Sequence, residues 1–242
     1  MKIRTILLAA IAIPLAAVLV GAGGTKGASR GGDDDLEFAR SRLYIEYNAT
    51  DEDVGVQVSL DGEPWRLLCV YDPRGRKIMT ISNSGSLRKQ GLTELFWESS
   101  EPPLEDLPLD VFFKRFPAGE YEFEGITIDG EEIEGSAIFT HIIPDPVEIL
   151  WPASDVLQNP NDIDVFWNAP ADPPGSAIVA YQVVVTHIES GRSFSVHVPA
   201  GVTSVSVPPE FMQFGADYEF EVLAIEAGGN QTIASSEFST ME

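Results

Sequence analysis

From residue 38 onward the chain is written in short alternating runs broken by turn residues, with little helical periodicity. Val54, Val56, Val58 and Leu60 put apolar side chains on one face of a strand. Asp61-Gly62 then reads as a hairpin turn, with 65–71 returning as the next strand. Asp72-Pro73-Arg74-Gly75 marks a second turn, with proline where φ is preset and glycine where it is free to be positive. A further strand is expected at 77–82, a polar loop at 83–91, and another strand at 92–98 carrying Leu95, Phe96 and Trp97. Apolar residues at 109, 112, 113 and 116 share one helical face, which predicts a short helix over the end of a sandwich. A closing hairpin follows over 121–142, turning at Asp129-Gly130. Pro144-Asp145-Pro146 is a stiff, extended linker that limits the angles between what precedes and follows it.

A local echo divides the chain in two. Phe116-Pro117-Ala118-Gly119-Glu120-Tyr121-Glu122-Phe123-Glu124 returns, one residue shorter, as Phe214-Gly215-Ala216-Asp217-Tyr218-Glu219-Phe220-Glu221. The two tyrosines lie 97 positions apart. An immunoglobulin-like sandwich spans about 100 residues and often carries a tyrosine at the corner entering its sixth strand, with the hydroxyl tied to upstream backbone. The fold class expected is all-β: two tandem antiparallel β-sandwiches after a signal peptide. The first covers 38–143 and the second 146–240.

The second half resembles a fibronectin type III domain over about 146–239. Asp164-Val165-Phe166-Trp167-Asn168-Ala169-Pro170 is similar to that family's second strand, and Ile178-Val179-Ala180-Tyr181-Gln182-Val183-Val184-Val185 to its third. Residues 212–224 resemble its corner and sixth strand, and Gly228-Gly229-Asn230 its last turn. Phe214 stands where the family usually has proline. The resemblance implies a seven-stranded antiparallel Greek-key sandwich. The first half shares only the corner and is read as immunoglobulin-like.

The N-terminus has another character. Lys2 and Arg4 precede an apolar run, Ile6 to Val20, interrupted by Pro14 and ending in the small residues Gly21 and Ala22. Residues 1–22 read as a secretory signal peptide and 23–37 as a disordered, Gly-rich spacer containing Asp33-Asp34-Asp35. The 17 residues from 6 to 22 are at the low end for spanning a bilayer. An N-terminal anchor is therefore the alternative, and no other membrane contact is expected. The address is secreted or periplasmic. Formal net charge is −23, from 38 acidic and 15 basic side chains. Such a surface disfavours nucleic acid and anionic lipid as partners.

Candidate chemistry is sparse. Cys69 is the only cysteine, so no intramolecular disulfide forms; as a strand residue it shares a face with Trp65, Leu67 and Tyr71 and reads as an inert buried thiol. A two-residue turn at Ser190-Gly191 pairs 189 with 192. It sets His187 opposite Phe194 and His197 opposite Val184, on opposite faces, which excludes a shared metal. His141 is the third histidine. No nucleophile or phosphate-loop motif occurs, and acidic pairs such as Glu98 with Glu101 are too common here to diagnose hydrolysis. Calcium is the better metal, with Asp51, Asp53, Asp145, Asp162 and Asp164 as candidate ligands beside Asn159 and Asn161. Asn48 and Asn230 open glycosylation-type tripeptides. Trp97 and Trp151 are expected to pack, the alternative being exposed aromatics that stack on sugars. The expected function is a non-enzymatic, exported binding, adhesion-like or spacer protein. Its protein or glycan partner would meet end loops or a strand edge. The alternatives are a carbohydrate-binding or hydrolytic accessory protein and a calcium-stiffened structural module.

Overall fold

The computed structural model describes residues 36–242, so the expected signal peptide and most of the spacer lie outside the described residues. The first half comprises β1 (Leu36–Glu37), β2 (Arg40–Asn48), β3 (Asp53–Tyr71), β4 (Lys77–Ser82), α1 (Gly85–Gln90), β5 (Leu92–Glu98), α2 (Leu109–Arg115), β6 (Gly119–Thr127) and β7 (Glu132–Phe139). The second comprises β8 (Glu148–Trp151), β9 (Ile163–Asn168), β10 (Ile178–His187), β11 (Ser193–Pro199), β12 (Ser204–Val207), β13 (Asp217–Glu226) and β14 (Gln231–Ser239).

Each half is a sandwich with its own core. In the first, β2 and β5 flank the leading part of β3, through Ile45↔Val56 and Val58↔Trp97. The trailing part of β3 lies between β4 and β6, with β7 and then β1 beyond β6. In the second, β8 and β12 flank β9, while β11, β10, β13 and β14 run side by side. Both halves thus face a three-strand layer with a second layer of matching order, β4-β3-β6-β7 in the first and β11-β10-β13-β14 in the second. The second is fibronectin type III-like, and the first repeats its order with the second and third strands fused into β3.

That fusion corrects one expectation. Asp61-Gly62 is no hairpin: β3 runs unbroken for 19 residues and crosses from one layer to the other. Gly62 is absent from the positive-φ residues, so its role is not a turn. A Cβ there would meet Phe38 Cδ1 at 2.8 Å and Ile133 Cδ1 at 3.2 Å. The glycine serves close packing where the strand bends through the core. A second irregularity, between Trp65 and Leu67, shifts the face of the strand. It buries Trp65 with Leu68 and Val70, and leaves Cys69 on the other face, 3.8 Å from Thr80 Oγ1. The shared Trp65–Cys69 face is therefore corrected, although the thiol is buried. The polar stretch 83–91 is also more than a loop. It holds α1, which ends at Gly91 with φ 79° and its N–H bonded to the Leu87 carbonyl.

The tyrosine corners are present in both halves. The Tyr121 hydroxyl donates to the Pro117 carbonyl at 3.2 Å, and the Tyr218 hydroxyl accepts from the Gln213 N–H at 2.8 Å. Tyr121 packs edge-on against Phe139, and Tyr218 stacks on Phe238. Trp167 and Tyr181 meet edge-to-face at 5.3 Å in the second core. The helix expected near 109–116 forms as α2, with Phe112 buried and Phe113 and Phe116 packed beside it.

The β10–β11 turn is longer than expected. His187 N–H bonds to the Arg192 carbonyl, Gly191 N–H bonds to the His187 carbonyl, and Gly191 takes φ 65°. Val185 therefore faces Phe194, and His197 faces Gln182. The slip preserves parity, so His187 and His197 still lie on opposite faces.

Gly62→Ala tests the packing role. The added methyl should lower unfolding free energy by about 1–3 kcal/mol in denaturant titration, the range for overpacking a core.

Candidate functional site: the seam between the sandwiches

A strand has two edges, and an uncovered edge leaves backbone donors and acceptors unpaired. The outer edge of β2 and the outer edge of β14 resolve this together. They pair in parallel, Glu46↔Gln231, Tyr47↔Thr232 and Asn48↔Ile233. Ala49 N–H extends the pairing to the Ile233 carbonyl at 2.9 Å, and Ser235 N–H reaches Thr50 Oγ1 at 2.9 Å. One continuous sheet, β5-β3-β2-β14-β13-β10-β11, runs through both sandwiches.

Asn230 fastens the seam. Its Oδ1 accepts from Ile45 N–H at 2.8 Å, while its Nδ2 donates to the Ile142 carbonyl at 2.7 Å and to Thr140 Oγ1 at 2.9 Å. Thr232 Oγ1 donates to the Pro144 carbonyl at 2.6 Å, pinning the linker from the same strand. Glu226 shapes the turn that delivers Asn230: its carboxylate accepts from the N–H groups of Gly228 and Asn230 and from Ser176 Oγ. Asn230 is 1 % exposed, so its side chain is a clamp in the folded chain rather than an accessible glycan acceptor.

Beside the clamp lies a cluster of carboxyl groups. Glu46, Glu98 and Glu101 each bring a carboxyl oxygen within 4.8 Å of the others, making a candidate cation site among the described residues. Gln57 Nε2 donates to Glu46 Oε1 at 2.6 Å and to Glu98 Oε1 at 3.1 Å. Gln57 Oε1 accepts from the Tyr44 hydroxyl at 2.7 Å, which orients the amide with its nitrogen toward the acids. The Gln231 amide donates to the other oxygen of Glu46. Glu101 lies over Gly55, where a Cβ would sit 2.6 Å from Glu101 Oε1, so a larger residue there would displace the Glu101 side chain.

Burial pushes the Glu46 carboxyl up to about 8, with the charges of Glu98 and Glu221 adding and the bonds from Gln231 and Gln57 opposing. Burial likewise raises Glu101 to about 9, assisted by Glu98, Glu46 and Asp53 and by a hydrogen bond with Glu98. Glu221, on the neighbouring β13, rises to about 7 through burial and the charges of Glu219 and Asp51. Burial and the neighbouring charges thus favour the protonated form of Glu46 and of Glu101. An amide donor already engages Glu46 and Glu98, two of the three groups whose oxygens a cation would need.

The expected calcium residues do not converge into such a group. Asp51 sits in the β2–β3 turn and accepts from Asn48 Nδ2 at 3.2 Å. Asp53 opens β3 and bridges Pro103. Asp145 is exposed in the linker, and exposed Asp162 bonds through its N–H to the Asn159 carbonyl. Asp164 on β9 accepts from Ser206 Oγ at 2.5 Å. The histidines are also dispersed. His141 stacks on Phe113 at 4.1 Å and contacts the Phe116 carbonyl, and His187 Nδ1 accepts from Ser190 N–H. Burial and then Arg42 push the His197 imidazole down. Trp97 packs against the first core, and Trp151 is partly buried on β8. No helix among the described residues is long and apolar enough to cross a membrane.

No protein-family model matches the chain, and no curated protein matches it. Many solved structures are similar, three of them as follows. The fn3 domain of the human collagen alpha-1(XX) chain is 23% identical, covering 42% of this chain and 89% of its own, with a TM-score of 0.31. The FN1–FN3 domains of chicken CNTN1 are 10% identical, covering 86% of this chain and 65% of theirs, with a TM-score of 0.33. A two-domain fibronectin type III segment of chicken tenascin is 16% identical, covering 85% and 98%, with a TM-score of 0.31. The fibronectin type III-like fold rests here on strand order, register and the tyrosine corners.

Asn230→Ala should cost about 2–4 kcal/mol in denaturant unfolding, because it strands several buried donors and acceptors at once. The carboxyl cluster sets a pH dependence of definite sign. These carboxyls are raised above their unfolded values, so their contribution is complete below about pH 4.5 and is lost as pH rises through about 8 and 9. The melting temperature should fall between about pH 5 and pH 9, and Glu46→Gln should flatten that slope.

Proposed function

We propose that the chain is an exported, non-enzymatic binding or structural module, in which the seam holds two sandwiches as one rigid body. The parallel pairing of β2 with β14 carries this reading. A flexible tandem needs only a linker; here the linker, a strand edge and a buried asparagine are all committed to the junction. The Gln57 amide, bonded to both Glu46 and Glu98, supports a structural role for these acids over hydrolysis. Recognition of a protein or glycan partner then falls to the end loops and to the edges of β4, β5 and β11, which pair on one side only.

Residual dipolar couplings measured on the full chain test the rigidity. Amides of both sandwiches should fit a single alignment tensor, and Asn230→Ala should degrade that joint fit. Two independent tensors in the unaltered chain would contradict the proposal.

A further inference from the structure

The sequence carries a formal net charge of −23, yet one open cleft gathers three cations. Arg66, Arg88 and Lys89, three of only 15 basic residues in the sequence, line it together with Ile128, Asp129 and Gly130. It is an open depression of about 570 Å³. Two walls of different origin form it: the trailing part of β3 with the β6–β7 turn, and α1.

The walls are held in place by hydrogen bonds to the backbone of β3 and of the β6–β7 turn. Asn83 N–H donates to the Arg66 carbonyl at 2.9 Å, and Asn83 Nδ2 to the Trp65 carbonyl at 2.9 Å, which ties the approach to α1 onto β3. Ile128 N–H donates to the Pro64 carbonyl at 2.9 Å, which ties the β6–β7 turn to the same strand. Arg66 Nε donates to the Thr127 carbonyl at 3.0 Å, fixing the guanidinium plane at the cleft wall. None of the three cations forms an ion pair among the described residues.

Arg88 and Lys89 lie in the last turn of α1, where basic residues complement the helix dipole. That role does not extend to Arg66, which enters from β3 on the opposite wall. Asp129 gives the cleft its chemical selectivity. A bare anion is attracted by the three cations and repelled by this carboxylate. A ligand that carries both an anionic group and hydroxyls satisfies both, with the anion on the guanidinium and ammonium groups and a hydroxyl donating to Asp129. Ile128 supplies an apolar contact for a ring. The ligand must also be short. Beyond the cleft, a long polyanion would meet a chain whose formal net charge is −23, and screening acts over only about 8 Å at physiological salt.

We propose that this cleft binds a short acidic saccharide, taking a sugar carboxylate on Arg66, Arg88 and Lys89 and a ring hydroxyl on Asp129. The site lies away from the seam and does not depend on the rigid-spacer reading.

Amide chemical-shift titration of the full chain tests this, with digalacturonate as probe. Shifts should concentrate at 85–89 and 128–130 and weaken as salt is raised. Arg88→Ala combined with Lys89→Ala changes only exposed side chains and should weaken binding by about tenfold or more. Arg66→Gln should do the same, and Asp129→Asn should narrow the preference for digalacturonate over pyrophosphate. A neutral galactose disaccharide should not bind. The proposal is overturned if digalacturonate shifts no amides at the cleft or binds the double variant equally well. It is overturned too if pyrophosphate or an acidic peptide binds the unaltered chain as tightly as digalacturonate does.

Discussion

The structure depends on one stretch of backbone pairing, the parallel contact between β2 and β14. Each of these strands is the edge of its own sandwich, and an exposed edge invites pairing with foreign chains. Joining them removes two edges and turns a tandem array into one sheet. The rest of the junction follows from this contact. Once Glu46 is set opposite Gln231, its carboxyl is enclosed, and a buried charge there would be costly. The chain meets that cost with amide donors from Gln57 and Gln231.

Glycines at close approaches make the arrangement possible. Gly55 leaves room for Glu101, and Gly62 lets β3 bend past Phe38 and Ile133. With the bend in place, one strand serves two layers, and the first sandwich needs no connection between its second and third strands. The two halves reach the same strand order by different chain paths. The repeated tyrosine corner is the local device they share, although the hydroxyl donates in one corner and accepts in the other.

Much of this was legible in the sequence because local physics decides it. Alternation placed Val54, Val56 and Val58 in a core, and the Trp167–Tyr181–Tyr218 framework gave the second sandwich. The two Asp-Gly pairs show where local signals fail. At Asp129-Gly130 the glycine takes φ 95° in a turn, whereas at Asp61-Gly62 a neighbouring side chain sets the requirement, and the dipeptide cannot reveal it. Likewise, the β10–β11 loop differed from the expected length, yet the face of each histidine survived because parity did. The seam was illegible. Asn230 and Ile45 are 185 positions apart, and the tripeptide at 230 imitates a surface signal although the residue is buried. Glu98 and Glu101 were one acidic pair among many, and nothing local ties them to Glu46.

Native-state hydrogen exchange at the seam tests the shared sheet most directly. If β2 and β14 pair as described, the amides of Ile45, Ala49 and Ser235 should be protected nearly as strongly as core amides such as Val56 and Val222. They should be exposed together with the less stable sandwich. Rapid exchange at these three amides, with both cores still protected, would contradict it.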